Sequence, residues 1–163
     1  MSRTAGASLE SLLRIARESE DVTAVRPAIM QLSYERGAEI YPLLVEKLND
    51  SNPSIQHAAA ISLGRYGRAE AIEELIKPKI FRSTYHQIRW AAVAAVGRLG
   101  DYRVVDHLLK AVEDPEWIVR TQAITELMAK VKDIIAHKDI RLTRILIHMF
   151  SLDNEEIVNL ATE

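Results

Sequence analysis

The sequence contains no cysteine, which excludes disulfides, cysteine-ligated zinc, thiol catalysis and iron–sulfur clusters. No long apolar run is present either. The longest, residues 90–97, falls far short of the roughly 20 residues needed to span a bilayer. Neither sign of charge dominates: 21 Lys and Arg stand against 23 Asp and Glu, a formal net charge of -2. That balance excludes a uniformly basic nucleic-acid protein, though not a local basic patch. The first seven residues carry no apolar signal segment, so no membrane association and a cytoplasmic setting are expected. Glycine (6) and aromatic residues (6%) are scarce for 163 residues. What is abundant is apolar material, 48%, beside 27% charged residues, enough to bury a core and to make disorder unexpected.

The dominant feature is an internal repeat. At an offset of 33, Ile55, Ala59 and Leu63 fall on Ile88, Ala92 and Val96, while Gly64, Arg65 and Gly67 fall on Gly97, Arg98 and Gly100. The register continues from Ile72, Leu75 and Ile76 to Val105, Leu108 and Leu109. A third copy lies 31 residues on, with Val119, Arg120, Ala123 and Leu127. A weaker early copy holds Val25, Ile29 and Gly37, and a partial last one begins at Asp153.

Each copy reads as two helices. The first carries apolar residues at i, i+4 and i+8, one stripe of a 3.6-residue period, and the second repeats i, i+3, i+4. Small residues (Ala58, Ala59, Ala91, Ala92) let neighbouring helices approach closely. Asp50, Ser83, Asp114 and Asp153 each stand five residues before an Ile or Val anchor, where they can accept from free N–H groups at a helix start. The glycine pairs sit where the first helix must stop, and glycine takes the left-handed conformation there without a Cβ penalty. The expected layout is a single repeat domain over 1–163. It has a loose tail (1–7), an entry helix (8–19), repeats at 22–48, 50–80, 83–113 and 114–151, and a partial repeat or cap at 153–163. The expected helices run near 22–36, 38–48, 53–66, 68–77, 84–99, 101–113, 115–131, 138–151 and 154–162. Met128 and Val131 replace the glycine pair in the fourth copy, which predicts an irregular C-terminal end.

Such units cannot bury their own apolar faces and must stack. The stretches at residues 87–101, 104–112 and 114–123 resemble HEAT-like repeats of the phycobilisome-lyase type, and the likeness covers roughly residues 22–132. Gln56 departs from the Arg usual at its position, which Arg89 and Arg120 keep. The resemblance implies an all-α, right-handed α-α superhelix of about four to five helical hairpins.

Catalytic constellations are missing. The five histidines never pair at i, i+4, and the His-Glu dipeptides by which some HEAT-like enzymes hold iron do not occur. No Gly-x-Ser-x-Gly, P-loop or dinucleotide fingerprint is present. No catalytic residue, metal site or cofactor is therefore expected. Arg89 and Arg120 read as structural, tied to a preceding loop.

The resemblance also implies that the second helices line a concave face. The alignment then sets side chains in rows: Tyr41, Glu73, Asp106; Pro42, Glu74, His107; Val45, Lys77, Lys110. This grades from an apolar to a charged end and suits an amphipathic segment of a partner protein. A second feature is a charge gap, since no acidic residue lies between Glu74 and Asp101. The basic segment between repeats there gives an anion or partner patch at Lys79, Arg82, Tyr85 and Arg89. The favoured reading is a non-catalytic scaffold that binds a protein or peptide on its second helices. The resemblance supplies one alternative, a bilin lyase-like or phycobilisome-associated subunit; nucleic-acid binding through the basic segment at 77–89 is another. An uncovered last repeat also predicts self-association through the C-terminal end.

Overall fold

A computed structural model describes residues 8–100 and 102–138. The expected tail at 1–7, the helix at 138–151 and the partial repeat at 153–163 lie outside the described residues or at their edge. Among the described residues all regular structure is helical. In order these are α1 (Leu9–Glu18), α2 (Val22–Leu32), α3 (Ile40–Leu48), α4 (Pro53–Tyr66), α5 (Ala71–Leu75), α6 (Pro78–Phe81) and α7 (His86–Leu99). A 3-10 turn (Tyr102–Val104), α8 (Val105–Ala111) and α9 (Trp117–Ala136) follow. The chain divides into two compact units, with the boundary between Ala71 and Ile72.

In the first unit α1 packs on α2, α2 on α4, and α3 on α4. The reason is visible in α4. Asn52 caps it by accepting from the Ser54 N–H, and Pro53 sits at the first turn, where its missing donor costs nothing. The predicted stripe Ile55, Ala59, Leu63 is buried together with Ala58 and Ala60. Each fully buried Leu or Ile stabilises by about 1.5–3 kcal/mol. Ile29, Leu32, Ile40, Leu44 and Leu48 complete this core. Two hydrogen bonds cross between repeats: Ser62 Oγ donates to Ile29 O (3.2 Å) and Tyr66 Oη to Gly37 O (3.1 Å).

The second unit repeats the scheme. α7 packs on α9, α8 on α9, and α6 on α7. Its core includes Leu75, Ile80, Ile88, Val96, Leu108, Val119, Ala123 and Leu127.

Several sequence expectations are corrected. The helix expected over 22–36 stops at Leu32, where the Ser33 hydroxyl donates to Met30 O. The helix expected over 68–77 shortens to α5, and the segment read as an inter-repeat loop contains α6, begun by Pro78 and anchored by buried Ile80. The helix expected over 101–113 is split into the 3-10 turn and α8. Asp50, Ser83 and Asp114, by contrast, do accept N–H groups at the helix starts as expected. Each accepts the N–H two residues on (Asn52, Tyr85 and Glu116), forming the turn that precedes the helix. α9 runs past residue 131 to Ala136, as a copy without a glycine stop allows.

The glycines also serve three different needs rather than one. Gly67 does close α4 in the left-handed region, φ 85°, with its N–H on Leu63 O. Gly64 and Gly97 are buried inside their helices, and a Cβ at Gly97 would collide with the Glu126 side chain. Gly100 is extended (φ -89°); a Cβ there would collide with Val104 and press on Val96 O. The two terminal glycines should therefore respond differently. Gly67→Ala should cost about 1 kcal/mol through backbone strain alone. Gly100→Ala should cost about 1–3 kcal/mol through overpacking, partly recovered by adding Val104→Ala. Urea unfolding of the three variants checks this; a Gly100→Ala protein as stable as wild type would refute the packing account.

Candidate functional site

The most structured polar feature of the second unit is built on α7. Arg89 is buried. Its Nε donates to Asp114 Oδ2 and its Nη2 to Asp114 Oδ1, both at 2.8 Å, a two-pronged pair between successive repeats. Its Nη1 donates to Ser83 O at 2.7 Å. Arg120 repeats the inner half of this pattern, with Nη1 donating to Asp114 O and Pro115 O at 3.0 Å. Asp114 also accepts the Glu116 N–H. Burial alone would raise the Asp114 carboxyl; the Arg89 hydrogen bonds and the Glu116 N–H outweigh it and hold the group below the ordinary carboxylate range. The Arg89 guanidinium is raised by the same hydrogen bonds.

Around this pair opens a cleft of about 350 Å³, lined by Phe81, Arg82, Val93, Lys110 and Pro115 among others. α6 creates it. Pro78 starts the helix, Ile80 anchors it, and Phe81 and Arg82 are thereby set at the cleft wall. Phe81 meets His107 of α8 edge-on, ring centres 6.0 Å apart. Burial, then Lys110, lowers the His107 pKa, against the opposing pull of Asp106 and Glu73. The imidazole is accordingly neutral at neutral pH.

Several residues that the sequence treated separately thus come together in the second unit: Glu73, Asp106, His107 and Lys110 of the second-helix rows, with Arg82 and Arg89 of the basic patch. Glu73, Asp106, Lys110, Lys79 and Tyr85 are exposed. Lys77 is turned elsewhere, its Nζ donating to both Glu74 carboxylate oxygens at 2.6 and 2.7 Å. This neutralises one of the charges on which the basic segment was read. Trp117, beside Pro115, is 62% exposed.

Tyr41, Pro42 and Val45 lie on α3 of the first unit. Pro42 is exposed and the other two are half-buried. Tyr41 is less apolar in setting than expected. Its ring stacks on Tyr66 at 6.5 Å, and the Arg68 guanidinium lies 4.5 Å above it. This cluster was not read from the sequence, although Arg65 and Tyr66 next to Gly67, and Tyr34 and Arg36 before Gly37, were the available signal.

The HEAT repeats family matches the chain at residues 9–78 and again at 78–163. The chain belongs to the HEAT repeat family. No curated protein matches it. The two matched segments meet inside the stretch from α5 to α6, close to the boundary between the two compact units of this HEAT repeat protein. Among the described residues no helix is long and apolar enough to cross a membrane, and no cluster of three or more His, Asp or Glu could hold a metal ion.

The Arg89–Asp114 pair gives a testable stability signature. Asp114→Asn or Arg89→Met should destabilise the HEAT repeat chain by about 3 kcal/mol, since either leaves a charge or its partner uncompensated. The native Asp114 pKa is depressed. Its contribution is therefore full above the ordinary carboxylate range and is lost as pH falls through the native value. Urea melts at neutral and acid pH should show that the stability difference between wild type and Asp114→Asn shrinks on acidification; a pH-independent gap would refute the assignment.

Proposed function

We propose that this HEAT repeat protein is a non-catalytic scaffold that holds a segment of a protein partner on its second helices. The family is generally non-catalytic and mediates protein interactions. The single observation that carries the reading is the cleft between α6 and α8. Phe81 and buried Val93 line it beside two exposed cations, Arg82 and Lys110, with the Arg89–Asp114 pair and exposed Glu113 also in the lining. Glu73 and Asp106 add acidic groups on the same side as His107, whose ring they influence.

This composition favours a partner segment that inserts an apolar side chain and sets a carboxylate beside Arg82 or Lys110. Apolar contact supplies the affinity, and the mixed charges select orientation. The neutral His107 imidazole adds a hydrogen-bonding group without adding a third cation.

Two variants test the proposal. Arg82→Glu with Lys110→Glu reverses the cations of the cleft, and Glu73→Lys with Asp106→Lys reverses the acidic residues. Each should lower recovery of a specific partner from native lysate by roughly tenfold or more, as expected for desolvated charge pairs. The far-UV helical spectrum should be unchanged. Equal recovery by wild type and both variants would remove the second-helix face from consideration. Quenching of the exposed Trp117 on addition of the recovered partner gives an independent readout close to Pro115.

A further inference from the structure

The first unit carries an interaction surface of different chemistry, formed where α4 ends and the α2–α3 connection passes it. Three tyrosines and three arginines interleave there. Arg65 lies 5.6 Å from the Tyr34 ring centre, Arg36 lies 5.9 Å from Tyr66, and Arg68 lies 4.5 Å from Tyr41. Tyr41 and Tyr66 stack on each other, and the Tyr66 hydroxyl is fixed on Gly37 O at 3.1 Å. Tyr34 is 69% exposed. Nothing in the core needs this arrangement, since Tyr34, Arg36, Arg65 and Arg68 all face solvent.

We propose that this tyrosine–arginine cluster is a docking site for a carboxylate-rich peptide segment of a partner protein. A guanidinium that rests its face on an aromatic ring keeps its N–H edge directed outward, in the forked geometry that matches a carboxylate. Arg68, the closest to its ring at 4.5 Å, is thereby held beforehand, so less of its freedom is lost when the ligand arrives, while Arg36 and Arg65 lie near the outer limit of such contact. Three such groups in one place offer several forks rather than one diffuse positive charge. The existing partners of these groups are weak: Arg36 donates to Glu35 O at 3.4 Å, and Arg68 pairs with Glu70, whose carboxyl is lowered by its own backbone N–H first and by Arg68 next. Glu39 is directed to Arg17 at 3.7 Å, and Glu70 meets Arg68 only at 3.6 Å with both side chains well exposed, a contact that an incoming carboxylate can replace. Exposed Tyr34 then supplies a flat apolar surface for the peptide stem, and Tyr and Arg are the residue types that dominate binding energy at protein interfaces.

The test uses the full chain and a short fluorescein-labelled peptide of alternating glutamate and alanine, followed by fluorescence anisotropy at low salt. Wild type should bind it. Arg65→Gln with Arg68→Gln should weaken binding by roughly tenfold or more, as loss of charge-assisted hydrogen bonds requires. Arg65→Lys with Arg68→Lys should restore only part of the affinity, because an ammonium keeps the charge but not the fork. Tyr34→Leu should weaken binding while leaving net charge unchanged. Arg26→Gln with Lys132→Gln removes the same net charge outside the cluster and should weaken binding far less than the Arg65/Arg68 change, since neither side chain presents a fork beside the cluster's rings. Circular dichroism verifies that each variant is folded. The proposal is overturned by no binding to wild type, by equal losses in the Arg65/Arg68 and the Arg26/Lys132 variants, or by full rescue with lysine. It is equally overturned if a single-stranded oligonucleotide competes the peptide off at lower concentration than unlabelled peptide does, which would make the cluster a nucleic-acid site.

Discussion

The contact on which the second unit depends most is the two-pronged bond from Arg89 to Asp114. Apolar burial drives these helices together but does not by itself choose a register. Faces made of Ala58, Ala59, Ala91 and Ala92 are smooth, and smooth faces can slide past one another at little cost. A buried guanidinium cannot. It must find its carboxylate and the Ser83 carbonyl together, or bear the desolvation of an unpaired charge. The pair thus holds α7 and the turn before α9 in one relation. Lys130 adds a second tie, with its buried ammonium donating to Gly100 O at the end of α7, where a cation also favours the helix dipole. The first unit reaches the same end by a neutral route: Tyr66, at the position aligned with Lys130, donates to Gly37 O, aligned with Gly100.

How far the fold could be read in advance depended on how locally it is determined. Of the first helices of the middle repeats, α4 was legible to the residue, while α7 ended as expected but began two residues later. Asn52 and Pro53 define a start, Gly67 a stop, and the 3.6-residue stripe fills the interval. Second helices were less legible. They are short, and their cores rest on tertiary packing more than on propensity, so α5 ended at Leu75 and the chain used Pro78 and Ile80 to begin another turn. The glycines show the limit of spacing arguments most plainly. Gly67 and Gly100 occupy the same repeat position, yet one is required for its backbone angle and the other for the room it leaves Val104. A sequence alignment treats them alike because the deciding partner lies on another segment. The run of α9 through residue 131 followed from what was absent, a stop signal.

The candidate site was partly legible for a related reason. Repeat alignment named Glu73, Asp106, His107 and Lys110 together, and in the structure the first, second and fourth act electrostatically on His107. It did not reveal that Lys77 folds back on Glu74, a pairing three residues apart that competes with any ligand. Nor did it reveal that α6 carries Arg82 to the wall of the α8 cleft. The tyrosine–arginine cluster escaped entirely. Tyr34 and Arg36 sit in a connection that the periodic pattern treats as spacer, and their ring and guanidinium partners come from the end of α4.

The two surfaces differ in the physical currency each can offer a partner. In the α6–α8 cleft the charged groups line a partly enclosed space, where burial already shifts titration: it keeps His107 neutral at neutral pH while Lys110 remains beside it. A ligand there must replace water around every charge it covers, so selectivity comes from misfits that leave one of those charges unpaired. On the tyrosine–arginine face the guanidiniums are solvated, and ring stacking holds them without desolvating them. Binding there pays little in burial and gains little from it; its strength must come from several forks acting at once and must fall as salt rises. The Arg82 and Lys110 side chains and the tyrosine–arginine cluster take no part in the Arg89–Asp114 hydrogen bonds, so either set can change while that pair keeps its own partners.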